Sequence, residues 1–191
     1  KIYKDKSGKL WVLTLRGKLC RYNPQKNNFT QYSFNTDKQN VAIKIITVAE
    51  DNLGNLWAVT TKGEFFNFDQ KKNIFIYKKF NENIEKQFQS INLKCILVDK
   101  DNMFWIGTWD GLTKFNLKTQ DLKWFNNNTV NPNSLGGDMV FSLAEDESGN
   151  LWIASANGGV SVLNKSTSVF KVYKNNTVHQ KSISSNRIMS I

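Results

Sequence analysis

The chain has 191 residues, with 26 Lys plus Arg against 16 Asp plus Glu, a formal net charge of +10, one His, two Cys and two Pro. That length suits one domain or part of a larger one, and 40% hydrophobic with 13% aromatic residues can build a core, which argues against wholesale disorder. One His and two Cys exclude His-rich metal sites, closed thiolate zinc sites and a disulfide framework, and no apolar run approaches the roughly 18 residues of a membrane span.

The opening Lys1-Ile2-Tyr3-Lys4 has no apolar stretch of the signal-peptide kind and reads as the tail of a strand. Leu10 to Thr14 and Leu19 to Tyr22 follow as strands, then one carrying Phe29 and Tyr32. Ile43 to Val48, Leu56 to Thr60, Phe65 to Phe68 and a strand with Ile74 and Tyr77 repeat that order. A polar insertion, Asn81 to Phe88, is the one helical candidate. The third set starts with a strand holding Cys95, then Phe104 to Thr108, Leu112 to Phe115, and a strand with Leu122 and Phe125. Val140 to Ala144, Leu151 to Ser155, Val160 to Leu163 and a strand with Phe170 and Tyr173 make the fourth, and Ile183 to Ile191 starts another. These β-branched and aromatic runs, bounded by Gly, Asn and Asp clusters, carry the hairpin signature.

The order is a repeat. Trp11, Trp57, Trp105 and Trp152 are 46, 48 and 47 residues apart, each six residues after an aspartate: Asp5, Asp51, Asp99, Asp146. Three residues beyond each aspartate stands Gly8, Gly54, Asn102 or Gly149, and six beyond each Trp stands Gly17, Gly63, Gly111 or Gly158. An aspartate at a strand end folds its carboxylate onto backbone amides just ahead, and the reversal that follows needs a left-handed residue, for which Gly and then Asn are suited. Four equivalent turns therefore favour a structural role for the aspartates over acid or metal chemistry. Each Trp has about 150–250 Å² to bury, more than one short repeat can hide, so neighbours must stack. Four-stranded units in radial array make a β-propeller. The expected fold is all-β: a propeller fragment of about four four-stranded blades. Its divisions are a partial blade at 1–35, blades at 36–82, 83–130 and 131–178, and the first strand of the next blade at 179–191. Cys20 and Cys95, a blade apart, are expected to be unpaired and largely buried.

The charge does not point to nucleic acid. Of the basic residues 23 are Lys and only Arg16, Arg21 and Arg187 are Arg, scattered among 25 asparagines without a basic block. No acid and base pair can be assigned among the carboxylates, so no catalytic residue and no cofactor is expected.

The pattern Asp-x-x-Gly-x-Leu-Trp-Ile-Gly/Ala-Thr/Ser, then Gly-Leu/Val, resembles the two-component regulator propeller repeat. Glu145 to Ser155 and Trp105 to Leu112 carry the resemblance most closely, with Asn131-Pro132-Asn133-Ser134-Leu135 and Lys181 to Ile188 between repeats. Val12-Leu13-Thr14 and Ala58-Val59-Thr60 depart from it after the Trp. The resemblance implies a segment of a seven-bladed periplasmic sensor propeller in a hybrid two-component system, detecting an oligosaccharide and signalling to a histidine kinase. It implies no membrane contact for this segment, since the membrane helix and kinase of such proteins lie elsewhere. A protein-interaction scaffold and a propeller lyase or hydrolase are the alternatives.

The expected ligand site is the turn between second and third strands, with the start of the inner strand on the same face. The turn residues are Leu15-Arg16, Thr61-Lys62, Trp109-Asp110 and Ala156-Asn157, and Asp138 and Asn186 mark the inner strands. The third turn is one residue shorter and alone holds a Trp. Trp109 there offers a stacking surface for a sugar ring, or else packs on the adjacent loop. Arg16 and Lys62 would favour an acidic sugar. Open blade edges are expected to drive self-association.

Overall fold

Period-two patterning and the Gly or Asn turns sort each repeat into an antiparallel meander of four strands. The computed structural model describes residues 1–34, 43–178 and 181–191. Blade 1 comprises β1 (Ile2–Lys4), β2 (Leu10–Leu13), β3 (Leu19–Asn23) and β4 (Asn28–Tyr32). Blade 2 comprises β5 (Ile45–Glu50), β6 (Leu56–Thr60), β7 (Phe65–Asp69) and β8 (Ile74–Lys78). After α1 (Glu82–Ser90), blade 3 holds β9 (Leu93–Val98), β10 (Phe104–Thr108), β11 (Leu112–Phe115) and β12 (Leu122–Phe125). Blade 4 holds β13 (Val140–Glu145), β14 (Leu151–Ser155), β15 (Gly159–Asn164) and β16 (Val169–Tyr173). The fold is thus all-β, in four four-stranded propeller blades. Blades 1 and 2 with α1 form one compact unit, Lys1–Ser90, and blades 3 and 4 form another, Ile91–Ile191.

In the first unit blade 2 covers blade 1. Phe68 and Phe75 set their edges against Trp11, at ring distances of 5.1 and 5.9 Å, and against Tyr32, at 5.4 and 5.6 Å. Leu13, Leu19, Ile45, Val48, Leu56 and Phe66 complete that core. In the second unit Leu151, Ile153, Leu163 and Phe170 of blade 4 close over Trp105, Leu112 and Cys95 of blade 3. Cys20 and Cys95 are both free thiols; Cys95 is buried and Cys20 half-buried. The helix forms because Asn81 caps it, its Oδ1 accepting from the Ile84 amide at 3.0 Å, and because Ile84 and Phe88 share one apolar face. Phe88 packs on Phe65 and Phe80.

The reversal before each Trp has the backbone its residues require. Gly8, Gly54, Asn102 and Gly149 have φ of 81°, 78°, 62° and 82°. The boundary expected between residues 35 and 36, and the start of the last segment at 179, lie outside the described residues. Residues 181–191, expected as the first strand of a further blade, form no ladder. They run beside blade 4, where the Asn186 carbonyl accepts from the Gly159 amide at 2.9 Å and the Ile188 amide donates to Ser155 at 3.0 Å.

Candidate functional site

The two ends of the blades differ in chemistry. At one end stand the aspartates. In blades 1 to 4 the Trp indole Nε1 donates to Oδ2 of the aspartate six residues before it, at 2.8, 3.0, 2.7 and 2.9 Å. Oδ1 of the same carboxylate accepts the backbone amide of Lys9, Asn55, Met103 or Asn150 at 2.9, 2.8, 2.9 and 2.8 Å. Both oxygens are engaged, so these residues latch the turn to the strand it precedes. The constant interval of six is the sequence trace of that indole bond, which turn chemistry alone does not reveal.

Lys165 adds a charge cluster at this end. Its Nζ lies 2.8 Å from Asp99 Oδ2, 2.6 Å from Glu145 Oε1 and 3.4 Å from Asp101 Oδ2. Burial by itself would raise the Asp99 carboxyl, but hydrogen bonds from Lys165, Trp105 and the Met103 amide outweigh it and hold its pKa below the ordinary carboxylate range. Burial likewise opposes the Lys165 ammonium, and the bonds to Asp99 and Glu145 overcome it and raise its pKa. Every member has a partner here, which suits a clasp between blades 3 and 4 rather than a reactive group. Among the described residues no group of three or more His, Cys, Asp or Glu is placed to hold a metal ion.

The opposite end carries the candidate site. The inner strands of blades 2, 3 and 4 each contain a bulge where they begin, at Ile46, Lys94 and Phe141, the residues that the register skips. A bulged residue leaves the ladder and its side chain is re-aimed. In the second unit two of them meet the Trp109 turn. The Lys94 ammonium lies 4.6 Å from the Trp109 ring centroid, and the Phe141 ring stands edge-on at 6.3 Å and 75°. Trp109 remains 44% exposed. Its turn is tight: the Thr108 amide pairs with Gly111, whereas the Thr14 and Thr60 amides pair with residues one position further on, Lys18 and Glu64. Thr108 Oγ1 accepts from the Asp110 amide at 3.0 Å, and Asn126 Nδ2 donates to the Asp110 carbonyl. The indole is therefore displayed on a fixed hairpin, with a cation at one face and an aromatic edge beside it.

The structure sorts the expected site residues. Trp109 and Asp110 are exposed at this end, and Asn157 is exposed on the blade 4 turn, against Gly137. Asp138 and Asn186 are at the same end, half-buried, and each braces a loop. Asp138 Oδ1 accepts the Asn127 amide, and Asn186 Oδ1 the Asn175 amide, both at 2.6 Å. Arg16 and Lys62 are exposed on turns of the first unit, so neither unit brings them together with Trp109. The cation beside the indole is Lys94, which sequence reading missed because a bulge leaves no mark in the residue pattern. The Trp109 ring has Lys94 and Phe141 among its neighbours.

The described residues after blade 3 and after blade 4 make matching contacts. Asn127 and Asn175 Nδ2 donate to the Leu135 and Ile183 carbonyls at 2.6 and 2.7 Å, and Ser134 and Ser182 Oγ accept the Asn128 and Asn176 amides at 2.9 Å. The paired Asn-Asn-Thr-Val at 127–130 and 175–178 was the available signal. An open cleft of about 570 Å³ lies beside the first of these loops, lined by Trp124, Phe125, Phe170 and loop asparagines.

Comparison with known proteins agrees with this architecture. Residues 87–110 and 134–157 match the family model of the two component regulator propeller, and both matches end on a second-to-third strand turn. Blades 3 and 4 carry that repeat. No curated protein matches the chain. Among solved structures it is similar to an extracellular domain assigned to a hybrid two component system of B. thetaiotaomicron, at 21% identity and a TM-score of 0.67, covering 95% of this chain and 23% of that one. A second such domain from the same organism gives 18% identity and a TM-score of 0.58, over 98% of this chain and 30% of that one. Virginiamycin B lyase from Staphylococcus aureus gives 13% identity and a TM-score of 0.65, over 92% of this chain and 55% of that one. At these identities the likeness is one of fold. The chain spans about a quarter of the length of the two-component domains it resembles. No helix among the described residues is long and apolar enough to cross a membrane.

Proposed function

We propose that this chain is a ligand-sensing propeller segment of a periplasmic sensor in a hybrid two-component system, and that it takes an oligosaccharide at the Trp109 end for signalling to a histidine kinase. The observation that carries this reading is the half-exposed Trp109 indole, fixed on a two-residue hairpin with the Lys94 ammonium 4.6 Å from its ring. An indole face stacks on the apolar face of a sugar ring, and an adjacent ammonium favours a ring bearing a carboxylate or sulfate. The repeat matches and the fold of the extracellular two-component domains support the sensor context. The likeness to a lyase is one of fold and brings no chemistry with it.

The test uses the intact sensor. Trp109→Ala should weaken oligosaccharide binding at least tenfold on the order expected for a lost stacking contact, and should blunt signalling. Lys94→Met should weaken acidic oligosaccharides while sparing neutral ones. Unchanged affinity and signalling in Trp109→Ala would put the site elsewhere. A loss of thermal stability without a loss of binding would make Trp109 a packing residue.

A further inference from the structure

Two clefts between blades 3 and 4 are unlike in charge. The one at the aspartate end, of about 460 Å³, has Lys100, Lys114, Lys165, Asp101, Glu145 and Glu147 in its lining. The one beside the 126–134 loop, of about 570 Å³, has no charged residue in its lining, although 22% of the chain is charged. Five of its eleven lining residues are asparagines. Its size falls within the roughly 300–1,000 Å³ of small-molecule sites.

The loop asparagines are held by their own turns. Asn128 Oδ1 accepts the Val130 amide and Asn131 Oδ1 the Asn133 amide, both at 3.0 Å. Among the described residues the two Nδ2 groups and the Asn133 side chain have no partner. The Asn133 carbonyl accepts the Phe170 amide at 3.1 Å, which ties the loop to β16. Phe125, half-buried and 5.6 Å from the Phe170 ring, adds an apolar wall. Asn126 joins this cleft to the Trp109 hairpin. It lines the cleft, and its Nδ2 donates to the carbonyl of Asp110, the residue after Trp109.

We infer that this cleft is a second subsite, which takes a neutral unit of the same oligosaccharide whose acidic unit meets Trp109 and Lys94. The inference rests on the sugar reading of the Trp109 site. Amide N–H groups donate to sugar hydroxyls without stripping water from a charge, and Phe125 offers an apolar surface to the C–H face of a ring. The loop is braced before anything binds, so binding has little of the protein to order. The ligand so described has at least two rings, acidic at one unit and neutral at another.

The intact sensor is tested on an array of oligosaccharides of one to six rings, with and without a terminal uronic acid. Asn131→Ser keeps an oxygen for the Asn133 amide but withdraws the Nδ2 donor, and Asn133→Ala removes a side chain without a partner. In the parent, affinity should rise about tenfold as neutral rings are added to the uronic acid, the order expected of one or two hydrogen bonds. The double variant should lose that rise and keep its affinity for the single uronic acid. If its thermal melt falls, Asn128→Ser, which keeps an oxygen for the Val130 amide, takes its place. A rise that survives these variants, or no rise with length, would overturn the subsite and leave the Trp109 site standing. Binding that needs the loop asparagines but not Trp109 would overturn the Trp109 site and leave the cleft as a sugar site. An array with no bound member would overturn both.

Discussion

Trp105 Nε1 donates to Asp99 Oδ2 at 2.7 Å, and the same oxygen accepts the Lys165 ammonium at 2.8 Å. One carboxylate thus holds a core indole of blade 3 and a side chain of blade 4. Asp99→Ala leaves a buried indole N–H and an ammonium without that partner, and should destabilise the chain by about 3–5 kcal/mol, the range for breaking a buried charge pair. Asp146→Ala, whose carboxylate among the described residues holds its own half-buried Trp152 and turn, should cost clearly less. Urea midpoints compare the two; equal losses would deny the link between blades.

The core indoles should separate in the same way. Trp105→Ala removes a fully buried side chain and should cost about 3–5 kcal/mol. Trp152→Ala in the same chain should cost less than half of that, because the ring is half-buried. Guanidinium unfolding monitored by circular dichroism decides it, and similar losses would contradict the difference in packing.

The pH dependence follows from the Lys165 clasp. Asp99 has a folded pKa below its unfolded value near ~3.9, so its contribution is complete above that value and is lost as pH falls through the folded pKa. Lys165 has a folded pKa above its unfolded value near ~10.4, so its contribution is complete below that value and fades as pH rises through the folded pKa. Lys165→Met should therefore lower Tm at neutral pH, by about 2–4 °C for each kcal/mol lost. The gap from the parent should shrink at pH near ~3. A gap that is the same at both pH values would remove the ionic basis of the clasp.

At Asn102, φ of 62° sets the tolerance. Asn102→Gly should be neutral or slightly stabilising, whereas Asn102→Val should cost about 1–2 kcal/mol, the penalty of a left-handed β-branched residue. Thermal melts of both variants suffice, and an indifferent valine would show that the turn can be remade.

Much of the fold was legible because its requirements are local. The Asp, Gly or Asn, and Trp positions are fixed by one turn and one strand, so four copies write them plainly. The polar insertion Asn81 to Phe88 likewise stood apart as the one helical candidate, and a helix forms there. The site was legible only in part. Trp109 stood out as an indole on a polar turn, but Lys94 reaches it through a shift of register, and no residue type signals that shift. Arg16 and Lys62 share its position in the repeat, and equivalence within a repeat gives each its own blade. Asp138 and Asn186 read as ligand-facing because they are polar and begin an inner strand. Oδ1 of each also accepts a loop amide, from Asn127 and Asn175, pairings that only a folded loop creates.

The bulges at Ile46, Lys94 and Phe141 also bear on how such a surface can change. Each side chain sits outside the ladder, on a strand whose other end is tied near an aspartate latch, so its identity is uncoupled from the register that positions the core. An isoleucine, a lysine and a phenylalanine occupy equivalent places on blades of one design. The blade works as a fixed mount with an interchangeable fitting, and a new surface chemistry can be written at that point one substitution at a time without rebuilding the part beneath it.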